Sequence, residues 1–253
     1  MVIDINCDLG ESTRLSKAGN DEAIMPFISS ANIACGFHAG DPLTIEKTIK
    51  LAIQNGVGIG AHPSYPDIEG FGRRPMKMRN EELRAVILYQ VGALKSMTEA
   101  LGAKLQHVKP HGALYNSASS DYDMAKIIAK AVKDIDSSLI LVGLSNSEMM
   151  RAANEIDIAF ASEFFADRAY NDNGTLVSRD IPGSVLHDTN QVIERVIRMI
   201  NEKNVVSITG KTIPIKADTI CIHGDNEMAL HFAENLVSTF KSNGISLKSI
   251  GNS

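Results

Sequence analysis

Short apolar, β-branched runs alternate with longer stretches of helical periodicity along most of this 253-residue chain. Runs that are apolar at nearly every position are typical of parallel strands buried on both faces. Seven such runs predict strands at residues 2–7, 30–34, 57–61, 105–109, 139–142, 158–161 and 219–222. This alternation predicts an α/β fold, with a parallel sheet covered by helices.

The stretches between these strands carry helix-end signals. Asp41 before Pro42 is typical of a helix start, and the pair Glu81 and Glu82 favours another start at Asn80. Helices are predicted at 42–55, 80–101, 121–134, 146–155, 188–202 and 225–243, with a small hairpin at 205–215. Seven strand–helix units in a chain of this length favour a single domain, 1–253, folded as a closed or nearly closed barrel of about seven parallel strands. A doubly wound open sheet is the alternative.

Composition excludes several classes of function. The net charge of −5 argues against nucleic acid as a partner, since phosphate binding needs clustered lysine and arginine. No apolar run approaches the roughly 20 residues of a membrane helix, and no signal peptide is recognisable, so a cytoplasmic location is expected. The three cysteines lack CxxC spacing, which argues against a disulfide framework and a zinc site. The segment "TGKT" at 209–212 lacks the first glycine of a phosphate loop. Any use of ATP therefore needs another kind of site or a partner.

Polar residues cluster where the predicted strands end, which is where parallel α/β folds place their reactive groups. Taken singly, each has a structural explanation; Asp41, for example, is a helix cap. Taken together, they predict one site at a common mouth. In chain order the candidates are Asn6, Asp8, Glu11, Asn32, His38, His62, Asp67, Lys109, His111, Glu163, Asp167, Arg168, His223 and Asp225.

Eight motifs in this order give a family resemblance. They are "NCDLGE", "SANIACGFHAGDP", "GIGAHPSYPD", "FGRR", "HVKPHGALYN", "FFADRAY", "DNGTLVSR" and "IHGDN". Over nearly its whole length the chain resembles the LamB/YcsF family. The resemblance implies a deformed β/α barrel akin to deacetylases and glycoside hydrolases. It also implies ATP-dependent opening of the small molecule 5-oxo-L-proline to L-glutamate, with 5-oxoprolinase subunits B and C as partners and ATP as co-substrate.

That reaction gives the strand-end residues hypothetical roles. A lactam amide is resonance-stabilised, so opening it needs a base, a proton donor and cations for anionic groups. Either Asp8 or Asp167 is the expected base. Histidines expected to act as acids or oxyanion donors are His62, His111 and His223. Substrate or phosphate contacts are expected from Asn6, Glu11, His38, Lys109, Glu163 and Arg168.

Two other functions remain open at this point. Aspartate and histidine at strand ends suit a metal-dependent deacetylase or amidohydrolase of the polysaccharide-deacetylase type, with metal-bound water as nucleophile. No compact HxxxH pair supports a metal, so a divalent cation stays an open possibility. The second is a non-catalytic scaffold for a kinase-like partner. The many ionisable groups at the mouth argue against that function.

Overall fold

The computed structural model describes residues 1–12, 19–222 and 227–252. The strands in this part of the chain are β1 (Val2–Leu9), β2 (Ser30–Ala34), β3 (Gly58–His62), β4 (Leu105–Val108), β5 (Ile140–Leu144), β6 (Phe160–Phe165), β7 (Asn204–Val206), β8 (Thr212–Pro214), β9 (Thr219–Ile222) and β10 (Ser246–Leu247). The α-helices are α1 (Asp21–Ile24), α2 (Pro42–Asn55), α3 (Asn80–Ala100), α4 (Gly112–Ser120), α5 (Tyr122–Ile135), α6 (Glu148–Ile156), α7 (Thr189–Glu202) and α8 (Glu227–Ser242). None of the described helices is long and apolar enough to cross a membrane.

Seven of these strands close into a parallel barrel. Strands β1 to β6 lie side by side in chain order, and β9 pairs with both β6 and β1. Strand β10 adds a short parallel pairing to β1, and β7 and β8 form the predicted antiparallel hairpin. The closing pair between β1 and β9 confirms the barrel and excludes the open sheet.

The predicted strands and helices are found at or close to their expected positions. The apolar strands β2 and β3 are buried at every residue, as a barrel covered by helices requires. The start of α2 is capped by Asp41, whose Oδ1 accepts hydrogen bonds of 3.0 Å from the backbone N–H groups of Leu43 and Thr44. Gly56, with φ +66°, ends the same helix.

Three strands, β1, β5 and β6, are longer than the sequence predicts, and the extensions of β1 and β6 reach site residues. The predicted ends of β1 and β6 were residues 7 and 161, whereas both strands continue beyond them and include Asp8 and Glu163. The backbone pairings persist there, with Asp8 opposite Asn32 and Glu163 opposite Thr219. The prediction that these carboxylates follow the strands is therefore wrong. They are part of the strands because their side chains have polar partners inside the barrel.

Helix α4 was not predicted either. It begins at a glycine with φ +55° and contains several serines, all of which are weak helix formers. Its stability comes from tertiary packing, since Ala113, Leu114, Tyr115 and Ala118 are buried. A helix that depends on tertiary contacts in this way is difficult to predict from its own sequence.

Candidate functional site

A buried lysine lies at the carboxyl end of the barrel. Lys109 directly follows β4, and its side chain is only 2% exposed. Its Nζ donates to Asp8 Oδ1 at 3.0 Å and to Asn6 Oδ1 at 3.1 Å, and it lies 2.8 Å from Glu163 Oε1. Burial opposes the ammonium ion, but the two carboxylates outweigh burial, so the pKa of Lys109 lies well above its usual value. We call Lys109, Asp8, Glu163 and Asn6 the lysine network.

Asp8 connects this network to a group of histidines. Its Oδ1 accepts from Lys109 and, at 2.8 Å, from Asn32 Nδ2, which also donates to Asn6 Oδ1 at 2.7 Å. The other oxygen, Oδ2, lies 3.3 Å from His62 Nε2. One oxygen of this carboxylate is therefore held by cationic and amide groups, while the other is directed towards an imidazole.

The histidine cluster consists of His38, His62, His111 and Glu11. The rings of His38 and His111 stack with centroids 3.8 Å apart and 3° between their planes. The ring of His62 stands edge-on to His111 at 4.8 Å. Glu11 Oε1 lies 3.2 Å from His38 Nε2 and 3.7 Å from His111 Nδ1. One potential ligand atom from each residue lies within 4.8 Å of all the others.

Backbone carbonyl groups orient two of these rings. His62 Nδ1 donates to Lys109 O at 2.6 Å, and His111 Nε2 donates to Phe71 O at 2.9 Å. Burial and nearby histidines lower the pKa values of His38 and His111 well below their usual value. Burial, followed by the charge of Asp8, raises the pKa of Glu11. These pKa shifts favour the neutral forms of His38, His111 and Glu11.

The "FGRR" segment, residues 71–74, packs against the histidine cluster. Phe71 and Gly72 adopt left-handed backbone conformations, with φ of +53° and +64°. A Cβ atom at Gly72 would lie 2.8 Å from His111 Cδ2 and 2.9 Å from His38 Cβ, so only glycine fits without a shift. Asp67 holds the loop through an ion pair with Arg74 and a hydrogen bond to the backbone N–H of Gly70.

A cavity of about 630 Å³ opens onto both groups. The predicted site residues that line it are Asp8, Glu11, His62, Lys109, His111 and Arg168. Asn6, His38 and Glu163 are buried and do not line the cavity, but they contact residues that do. Asn6 and Glu163 contact Lys109, and His38 contacts Glu11. The structure thus brings nine of the predicted residues together around one cavity.

Asp167, His223 and Asp225 are not among these nine residues, and Arg168 is already bound by backbone carbonyl groups. Asp167 is not part of the described cavity lining, and its backbone carbonyl accepts from Leu186 N. His223 and Asp225 lie outside the described residues, so a catalytic role for His223 stays a prediction. Arg168 lines the cavity, but its Nη2 donates to Val177 O at 2.5 Å and its Nε to Ser184 O. Burial lowers the pKa of Arg168 to about 10, which leaves the guanidinium charged near neutral pH.

Sequence reasoning assigned no role to several residues of the cavity wall. Tyr115 contributes from α4, and Phe71 and Arg73 contribute from the loop before α3. Arg179 belongs to the long segment between β6 and α7. The unusual length of these two loops was the available signal, because long loops in compact domains are usually functional.

The arrangement combines the groups that acid–base chemistry at a carbonyl requires. Asp8 has one oxygen facing His62 and is positioned to take a proton at the cavity wall. The imidazole of His62 beside it can donate or accept a hydrogen bond. Lys109 pairs with Asp8 at 3.0 Å and stabilises negative charge nearby.

Comparison with known proteins shows the family of this chain. The model of the LamB/YcsF family matches residues 3–253. The chain belongs to the LamB/YcsF family. A LamB/YcsF relative from Campylobacter jejuni, named as the A subunit of 5-oxoprolinase, is 52% identical over 250 residues, covering 99% of this chain and 98% of that protein.

Two solved structures resemble the structure of this chain. The lactam utilization protein from Thermus thermophilus has a TM-score of 0.93 and 40% identity, covering 99% of this chain and 100% of that chain. A family 4 carbohydrate esterase from Streptomyces lividans has a TM-score of 0.53 at 10% identity, covering 98% of this chain and 92% of its own. The esterase shows the fold alone, confirming the deacetylase-like barrel without favouring deacetylase activity for this member of the LamB/YcsF family.

Proposed function

We infer that this chain is the A subunit of a cytoplasmic, ATP-dependent 5-oxoprolinase that opens 5-oxo-L-proline to L-glutamate together with subunits B and C. The position of Asp8 supports this function above all, because its carboxylate lies between a buried cation and an imidazole at a cavity wall. The names of similar proteins, the A subunit of 5-oxoprolinase and the lactam utilization protein, point to the same substrate class.

The chemistry explains why a lactam hydrolase needs ATP. The amide of a five-membered lactam is little strained and resonance-stabilised, so water attacks it poorly. Transfer of the γ-phosphoryl group to the amide oxygen would give an imidate with a better electrophilic carbon. Addition of water to that carbon, followed by cleavage of the C–N bond with protonation of the nitrogen, would open the ring and leave an acyl phosphate. A second water would then hydrolyse the acyl phosphate to glutamate and inorganic phosphate. This chain lacks a phosphate loop, so ATP binds at a site of another kind or on a partner subunit.

The described residues divide these tasks. Asp8 is the base that directs water to the activated carbon, since Asp167 does not line the cavity. The proton that Asp8 takes from water returns to the leaving nitrogen, and His62, whose Nε2 lies 3.3 Å from Asp8 Oδ2, holds this carboxyl group in place. Lys109 stabilises the ionised form of Asp8, and Arg168 offers a charged wall for the substrate carboxylate or for phosphate.

Reconstitution tests this function. Purified chain, with and without subunits B and C from the same organism, is supplied with 5-oxoproline and ATP, and glutamate and ADP are both quantified. Glutamate is expected in proportion to ADP when all three subunits and ATP are present, and not when ATP is omitted. Acetate release from an N-acetylated sugar oligomer is measured in parallel. Acetate without any glutamate would replace the proposal with a deacetylase.

A further inference from the structure

The histidine cluster contains two ring nitrogens whose lone pairs face each other. A carbonyl oxygen only accepts, so the bonds to Lys109 O and Phe71 O place hydrogens on His62 Nδ1 and His111 Nε2. In a neutral ring the other nitrogen has a lone pair. Those nitrogens, His62 Nε2 and His111 Nδ1, lie only 2.9 Å apart. A positive species is needed between them, either a shared proton or a metal ion.

The neighbouring atoms favour a metal ion. Besides the two facing nitrogens, the cluster offers His38 Nε2 and Glu11 Oε1, which lie 3.2 Å apart. His38 Nδ1 has no hydrogen-bond partner among the described residues, so no bond to that atom fixes the tautomer, and Nε2 remains able to present its lone pair. A single shared proton would serve two of these four groups, whereas a divalent ion serves all of them.

The separations match the edges of a coordination polyhedron. Ligands about 2.1 Å from a metal are about 3.0 Å apart at octahedral angles and about 3.4 Å apart at tetrahedral angles. The observed contacts are 2.9 Å between His62 and His111, 3.2 Å between His38 and Glu11, and 3.7 Å between His111 and Glu11. All four ligand atoms lie within 4.8 Å of one another, and opposite ligands of an octahedral ion are about 4.2 Å apart.

The hydrogen bonds made by the other ring nitrogens also resemble those found in metal sites. Histidines that bind metal donate their other ring N–H to a carbonyl or carboxylate, which fixes the ring orientation. His62 and His111 do so to backbone carbonyl groups of the barrel end and of the loop above it. Gly72 lets that loop approach both His38 and His111 closely, and both histidines are buried.

We propose that Glu11, His38, His62 and His111 bind one first-row divalent transition-metal ion at the wall of the cavity. Imidazole with one carboxylate suits zinc, iron or nickel better than magnesium or calcium, which prefer oxygen ligands. An ion held there would lie beside Asp8, where it would supply a Lewis acid for a carbonyl oxygen or a water. This catalytic use rests on the function proposed above, whereas the binding itself does not.

Cobalt provides a direct probe, because Co²⁺ bound by imidazole absorbs visible light. The chain alone is stripped with a chelator, dialysed and titrated with Co²⁺, without substrate, ATP or partners. Bound metal is also counted by mass spectrometry in protein that has not been exposed to chelator. We expect saturation at one Co²⁺ per chain and a higher melting temperature with metal. Failure of the reconstituted reaction would not affect this result.

Variants locate the ion. His111→Gln and Glu11→Gln are each expected to weaken Co²⁺ binding by at least about tenfold and to change the spectrum. His187→Gln, which removes an exposed imidazole elsewhere, should bind like the wild type. Near-ultraviolet circular dichroism checks that each variant is folded. Glu11→Gln is the second variant because the Glu11 side chain is less buried than that of His111, so its substitution disturbs folding less. No Co²⁺ bound by the wild type, or binding unchanged in both variants, would overturn the proposal in favour of a shared proton.

Discussion

Asp8 and Lys109 form an ion pair inside the barrel, with 3.0 Å between Oδ1 and Nζ. Glu163 approaches the same ammonium group at 2.8 Å and is fully buried. Two carboxylates thus share one cation in a region that water does not reach freely. Charge in such a place is stable only as long as every partner is present.

Lys109→Met should therefore destabilise the protein. Removing the cation leaves two carboxylates without compensation, and breaking a buried pair in this way costs about 3–5 kcal/mol of unfolding free energy. Chemical denaturation measures the loss. The matched control is Lys126→Met, which removes an exposed partner of Glu155 and should cost less than about 1 kcal/mol. Equal stability of the two variants would mean that the lysine network contributes little to folding.

His107 gives a prediction on pH. It is fully buried, and its Nε2 donates to Asn32 Oδ1 at 2.8 Å. Burial, followed by the charge of Lys109, lowers its pKa to about 3. The folded protein therefore leaves this ring neutral where the unfolded chain gains a proton, so its contribution to stability is present above about pH 6.5 and is lost as pH falls towards 3.

The measurement is the slope of unfolding free energy against pH. Between about pH 6 and pH 4, His107→Gln should lose stability less steeply than the wild type, by up to about 1.4 kcal/mol per pH unit. Glutamine keeps a donor for Asn32 but does not titrate. The exposed His187→Gln should keep the wild-type slope. An unchanged slope in His107→Gln would show that its ring titrates normally in the folded state.

Gly72→Ala should impair activity more than stability. The substitution strains a backbone with φ +64° by about 1–2 kcal/mol and drives a methyl group into His38 and His111. Gly174→Ala is the control, since it has φ +85° but nothing within 4 Å of the added carbon. Both variants should lose stability through backbone strain, Gly72→Ala somewhat more because of the added clash, and only Gly72→Ala should lose most of its turnover. Equal turnover would mean that the loop does not position the histidines.

The barrel was predictable from the sequence because its strands are apolar on both faces and its helices carry end signals, such as Asp41 before α2. The polar strand ends were predictable as a set, since parallel strands bring Asp8, His62 and Lys109 to one end of the barrel. Their partners were not. Lys109 pairs with Glu163, and ring nitrogens of His62 and His111 face each other. No sequence pattern predicts either contact, because each forms only when closure of the barrel brings distant side chains together.

Turnover of Asp8→Asn in the reconstituted three-subunit complex decides whether this carboxylate is the base. Asparagine keeps the size of the side chain but cannot take the proton, so glutamate formation should fall by at least about 100-fold. Cys7→Ala, a change at the buried neighbouring residue, should leave turnover close to the wild type, because burial keeps the pKa of that thiol far above its usual value and the group unreactive. Near-normal glutamate formation by a folded Asp8→Asn complex would contradict the role assigned to Asp8.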